Sequence, residues 1–165
     1  MKQRFYYCPK CGKELKYRQI GDRQRLQCQA CGYVFYENPI VGVAGICIQD
    51  NKILLGRRTN GYAGQWCIPC GYVEWDEDVQ TALRREFKEE TGLEVQIERV
   101  YTAKSNFHNP ESHTVGIWFL VTPAGGQLQA GDDLDMVQFF TLDHLPDLAF
   151  PTDLEVIEML RENCS

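Results

Sequence analysis

Nowhere do the 165 residues contain an apolar run long enough to cross a bilayer, and Met1 to Cys8 lack the apolar stretch of a secretory leader. No membrane partner is expected, and the default location is the reducing cytoplasm. Internal repeats and low-complexity tracts are also missing, which excludes solenoid and disordered-linker architectures. Histidine is scarce, at three residues, and His108 and His113 fall in a polar loop without metal-ligand spacing. Solvation is the expectation for both. Cysteine, with eight residues, is not scarce. In a reducing compartment these are expected as thiols or metal ligands rather than as disulfides.

The apolar fraction of 44% and charged fraction of 24% belong to a soluble globular chain, long enough for one ordinary domain and a small module. The formal charge of −6 is unevenly spread. Residues 1–36 carry eight Lys and Arg against two acids, a balance of +6, leaving −12 for the remainder. Two modules are therefore expected, over 1–38 and 39–165.

The basic module contains Cys8-Pro9-Lys10-Cys11-Gly12 and Cys28-Gln29-Ala30-Cys31-Gly32, two knuckles with sixteen residues between them. Each glycine permits the tight turn that aims two sulfurs at one ion. Cys8, Cys11, Cys28 and Cys31 are thus expected to bind one structural Zn2+ in a zinc ribbon, with short strands at 15–18, 25–27 and 33–36. A disulfide pair or a redox dithiol are the competing readings.

After the Tyr36-Glu37-Asn38-Pro39 joint, Ile40 to Gln49 and Lys52 to Arg58 read as strands of a hairpin turning at Asp50-Asn51. Cys67-Ile68-Pro69-Cys70 has redox spacing but no helix starting directly after it, so two small buried thiols are expected. Further strands are expected at 95–104, 114–122 and 136–141. Thr152 and Glu155 suggest a capping box opening a last helix through Leu154, Ile157 and Leu160.

The most informative stretch runs from Gly71 to Leu93, G-Y-V-E-W-D-E-D-V-Q-T-A-L-R-R-E-F-K-E-E-T-G-L. On a helix, Glu86, Glu89 and Glu90 share one face, where three like charges repel unless a hard divalent cation relieves them. Val79, Leu83 and Phe87 form the neighbouring apolar stripe, and Gly92 suits a left-handed helix end.

Position for position, this stretch resembles the signature of the Nudix hydrolases, and the zinc ribbon followed by Y-x-N-P resembles the branch with NADH and ADP-ribose/FAD pyrophosphatases. The resemblance implies an α+β Nudix fold, a mixed β-sheet sandwiched between helices. It implies Mg2+ (or Mn2+) held by Glu86, Glu90 and Glu89 with the Gly71 carbonyl, and Arg85 steadying Glu77. The general base is left among Asp135, Asp133 and Glu111, with Asp132 beside them. Met136 stands where relatives often carry a glutamate, and Asp76 where a glycine is common.

Candidate substrate contacts are Arg57, Arg58, Tyr72 and Phe107, with Tyr62 and Trp66 as further flanking aromatics. NADH-specific relatives carry serine-glutamine-proline-tryptophan after the box, which this chain lacks at Tyr101 to Phe107. The expected reaction is cleavage of ADP-ribose or FAD, with NADH also open, to release AMP. A house-cleaning nucleoside triphosphate pyrophosphohydrolase is the alternative within enzymes. A non-catalytic sensor that binds nucleic acid through the basic ribbon is the alternative outside them. A homodimer is compatible with either.

Overall fold

In the computed structural model, residues 3–163 are described; the eighth cysteine, Cys164, lies outside them. The chain forms two compact units, Met1–Asn38 and Pro39–Ser165.

The first unit is a three-stranded antiparallel sheet of β1 (Leu15–Ile20), β2 (Arg23–Cys28) and β3 (Val34–Phe35). Cys8, Leu15, Leu26 and Cys28 are its buried core, with Phe35 packed against them. Four small or medium side chains are little to fold on, so the unit needs a further source of stability.

The second unit is built on a mixed sheet ordered β10-β5-β4-β9-β8. Its strands are β4 (Ile40–Gln49), β5 (Lys52–Arg58), β8 (Leu93–Asn106), β9 (Thr114–Gly126) and β10 (Leu134–Thr141). The short β6 (Trp66–Cys67) and β7 (Cys70–Tyr72) pair with β5 and β4 respectively. Only β4 and β9 run parallel; the other pairs are antiparallel. Asp50 and Asn51 take φ of 48° and 59°, the left-handed pair that a two-residue hairpin requires.

Alternation along β4 splits the core. Val43 and Cys47 face α1 (Val79–Thr91) with Leu54, Phe119 and the helix residues Leu83 and Phe87. Ala44 and Ile46 face the other way, toward α2 (Pro151–Asn163) and its Val156, Ile157 and Leu160. The two helices thus cover opposite sheet faces. Gly45 allows α1 this close: a Cβ there would meet the Phe87 ring at 2.4 Å.

The start of α2 differs from the capping box expected at Thr152. The helix opens at Pro151, whose missing N–H is harmless in the first turn, and Phe150 O accepts from Asp153 N and Leu154 N. Thr152 is buried inside the helix, and Glu155 pairs instead with Lys104 at 2.7 Å. The apolar stripe is rotated accordingly: Leu154 is 43% exposed while Val156 is buried.

Candidate active site

Asp78 caps α1 by accepting from Gln80 N, and Gly92 ends it at φ 72° with its N–H on Lys88 O. The loop after β9 folds back on this helix end, through Gln129 N to Thr91 O and Gly131 N to Glu90 O. Gly131 must be small, since a Cβ would meet Glu89 O at 2.4 Å. This return brings Asp132 and Asp133 to the cavity that Glu86 and Glu90 line.

That cavity has a volume of about 450 Å³ and is also lined by Gly71, Tyr72 and Arg58. Glu86 turns under Gly71 so closely that a Cβ on the glycine would sit 1.9 Å from the carboxyl carbon. Glu90 is only 1% exposed and accepts from Cys70 N at 2.7 Å. Burial pushes Glu90 well above the ordinary carboxylate range. The nearby Cys67 thiol adds to the rise, Cys70 N–H opposes it, and Asp133 adds further. Burial also raises Glu86, against the pull of Arg85 and with help from Glu89 and Asp132. Carboxylates gathered at this cost suit a cation, and an all-oxygen donor set selects a hard one such as Mg2+ or Mn2+.

Arg85 grips Glu77 by two bonds, Nε to Oε1 at 2.9 Å and Nη2 to Oε2 at 2.8 Å, and holds Glu77 below its usual range. It also contacts Tyr72 O at 3.1 Å, Glu86 at 2.8 Å and Glu89 at 3.2 Å. Glu86 and Glu89 thus share one guanidinium nitrogen, Arg85 Nη1, but only Glu86 lines the cavity. Glu89 lies one turn beyond Arg85, half-exposed on that side of α1.

The expected base and substrate residues are divided by the structure. Asp133 lines the cavity and pairs with Arg58 at 2.8 Å, whereas Glu111 does not line it. Asp135 sits at a register shift between Leu134 and Met136, where strand alternation breaks. It is held outside the cavity by Arg57, Nε to Oδ1 at 2.7 Å and Nη2 to Oδ2 at 3.1 Å. Arg57 is thereby removed from the cavity as well. Phe107 is exposed and packs edge-on to His113, and Trp66 is buried against Phe140.

Three lining residues, His108, Phe150 and Asp153, were not among the site residues expected from the sequence. His108, expected to be free in solvent, packs against Phe150 at 5.7 Å and Tyr62 at 5.9 Å. Tyr62 meets Phe150 at 5.6 Å, and the Arg58 guanidinium lies 5.2 Å over the Phe150 ring. All four line the cavity. Asp153, buried in α2, accepts from Ile68 N at 2.9 Å and Trp118 Nε1 at 3.2 Å, and burial raises it to about 7. Cys67 is buried and Cys70 half-buried, both free thiols, and Arg58 Nη1 lies 3.8 Å from the Cys67 sulfur.

In the first unit, Cys8, Cys11, Cys28 and Cys31 bring their sulfurs within 4.8 Å of one another. Sγ separations of 3.7 Å (Cys8–Cys31) and 3.5 Å (Cys11–Cys28) fit the edges of a zinc–thiolate tetrahedron, about 3.8 Å for bonds of about 2.3 Å. The two knuckles have matching turns: Gly12 N to Cys8 O, Gly32 N to Cys28 O, with both glycines left-handed. The Cys31 N–H, with that of Ala30, lowers the Cys28 thiol to about 7.

Residues 38–160 match the NUDIX domain family and 6–37 the Nudix N-terminal zinc ribbon. The chain belongs to the Nudix hydrolase family. It is 40% identical over 131 residues to an ADP-ribose pyrophosphatase of Methanocaldococcus jannaschii, covering 78% of each chain. It is also 31% identical over 152 residues to an NAD-capped RNA hydrolase NudC of Vibrio atlanticus, matching 90% of this chain but only 54% of the relative. The chain thus spans about half the length of that relative. A crystal structure of a NUDIX hydrolase from Nitrosomonas europaea superposes with a TM-score of 0.80 at 29% identity, over 92% of this chain and 87% of that one. α1 and its carboxylates fall within the stretch that matches the NUDIX domain, and the four clustered thiols within the stretch that matches the Nudix N-terminal zinc ribbon. Among the described residues, no helix is long and apolar enough to cross a membrane.

Proposed function

We propose that this Nudix enzyme hydrolyses the diphosphate bridge of ADP-ribose, FAD or a similar nucleoside diphosphate joined to a second moiety, releasing AMP. The convergence of Glu86, Glu90, Gly71 and Asp133 with Arg58 and the Tyr62, His108 and Phe150 rings on one cavity carries the reading. The relative named as an ADP-ribose pyrophosphatase supports the choice of substrate class. On this reading, residues 39–165 are the catalytic domain and 1–38 a structural zinc module, in keeping with the two compact units.

Glu86 and Glu90, with the Gly71 carbonyl, would hold Mg2+ or Mn2+, with Glu89 as an additional ligand from the rim of the cavity. Bound there, such an ion would supply charge neutralisation for the diphosphate and a lowered pKa for a water. Arg85 fixes Glu77 and braces Glu86 from behind. Arg58 presents a cation to the bridge oxygens, and Asp133 is the expected base that fits the cavity. As the phosphorus–oxygen bridge breaks, the water's hydroxyl joins phosphorus and its proton passes to that base. Tyr62, His108 and Phe150 offer ring faces and edges to an adenine.

Product chromatography with magnesium tests this across ADP-ribose, FAD, NADH and the nucleoside triphosphates. AMP from a dinucleotide-type substrate, at the highest catalytic efficiency of the set, is expected. Pyrophosphate released from a triphosphate as the best reaction would give the site to the house-cleaning alternative.

A further inference from the structure

The outer face of the ribbon sheet carries a charge pattern that its own stability does not explain. Pairing of β1 with β2 sets Lys16 opposite Gln27, Arg18 opposite Arg25 and Ile20 opposite Arg23. The alternate positions Leu15, Leu26 and Cys28 are buried, so Lys16, Arg18, Arg23 and Arg25 share the opposite face. Arginines directly across an antiparallel pair destabilise it. Local relief is slight: Arg18 donates to neutral Gln29 at 2.8 Å, and Lys16 meets Glu14 at 3.1 Å at the sheet's end, both exposed. The Arg25 guanidinium lies 4.8 Å over the ring of Tyr36, itself exposed. The negative charge of a zinc–thiolate centre falls elsewhere, since Cys28 points to the inner face.

We propose that this face binds single-stranded nucleic acid, independently of the catalytic cavity. The four cations take backbone phosphates, which arginine can fork with two parallel bonds. The Arg25–Tyr36 stack offers a base a platform. An anionic lipid surface fits less well, because beyond Tyr36, already stacked with Arg25, the apolar side chains on this face are the half-buried Ile20 and Val34. RNA and DNA present the same phosphate chemistry.

The test is fluorescence anisotropy of the zinc-loaded full chain with a labelled strand of about twelve nucleotides, as RNA and as DNA. Four phosphate contacts give a slope of log affinity against log salt of about −3, or about 50-fold weakening between 50 and 200 mM. The R18Q/R25Q variant should halve that slope while leaving hydrolysis of small dinucleotides unchanged. Tyr36→Ala should weaken binding about fivefold or more with little change of slope. Binding of either strand supports the proposal, and a preference for one names the source. If R18Q/R25Q loses zinc, K16Q/R23Q on the same face gives the same reading. Four outcomes overturn it: no saturable binding at 50 mM salt, binding indifferent to these variants, displacement by ADP-ribose, or binding to anionic vesicles without binding to either strand.

Discussion

Replacing Gly71 with alanine asks whether Glu86 is held by the close approach of β7. A Cβ at this position would stand 1.9 Å from Glu86 Cδ and 2.2 and 2.3 Å from its oxygens. No such contact persists, so something must move, and the far end of a side chain yields more cheaply than a paired strand. Overpacking of this kind costs about 1–3 kcal/mol. The Glu86 side chain borders an open cavity, so the low end applies, about 1 kcal/mol and a fall in Tm of about 2–4 °C. Activity should suffer far more. Displacing one centrally placed electrostatic group lowers rate by about 10²–10³. Rates of AMP release against magnesium concentration, beside thermal melts, would show a large kinetic loss with a small thermal one. In a Glu86→Ala background the clash disappears, so the same substitution should add almost nothing. A Gly71→Ala enzyme within about threefold of the wild-type rate refutes the reasoning, as does an equal loss in both backgrounds.

Elemental analysis should find about one zinc per chain, and Cys11→Ser should release it and loosen residues 1–38 while the catalytic domain stays folded. Zinc-free native protein, or paired cysteines, would contradict this. Burial raises Asp153 from 3.8 to about 7, so the folded state holds a proton that the unfolded chain loses above about pH 4. The stabilising effect is complete below pH 4 and is lost as pH rises through 7, on the order of 4 kcal/mol at about 1.4 per unit. Asp153→Asn should therefore flatten that part of the stability–pH curve in denaturant titrations, and an unchanged slope would refute it. Phe150→Ala should raise KM for an adenine-bearing substrate about fivefold or more with a smaller effect on kcat, by the worth of one lost base stack. A pure kcat effect would show that the ring positions the catalytic groups instead.

The carboxylate face of α1 was legible because its spacing defies ordinary stability: Glu86 and Glu90 stand one turn apart beside an apolar stripe, and both line the cavity. The zinc knuckles and the Asp50-Asn51 hairpin were legible because their turns demand particular residues. What escaped came from contacts distant in sequence. His108, in the loop between β8 and β9, and Phe150, just before α2, meet only because distant parts of the chain come to one cavity. Asp153 reads as a helix acid until the fold buries it beside Ile68 N and Trp118 Nε1. A register shift at Asp135 sets Met136 opposite Arg57, and the Arg57–Asp135 ion pair, which joins residues far apart in sequence, keeps both side chains out of the cavity lining.

The most direct measurement is the magnesium-dependent turnover of Glu90→Gln. Glutamine keeps an oxygen for Cys70 N–H but removes the buried charge, so the domain should melt no lower than wild type without metal. Loss of charge from the metal site should cut AMP release from the best substrate by about 10²–10³. Near-normal magnesium-dependent turnover in this variant would contradict the assignment of Glu86 and Glu90 as the catalytic metal face.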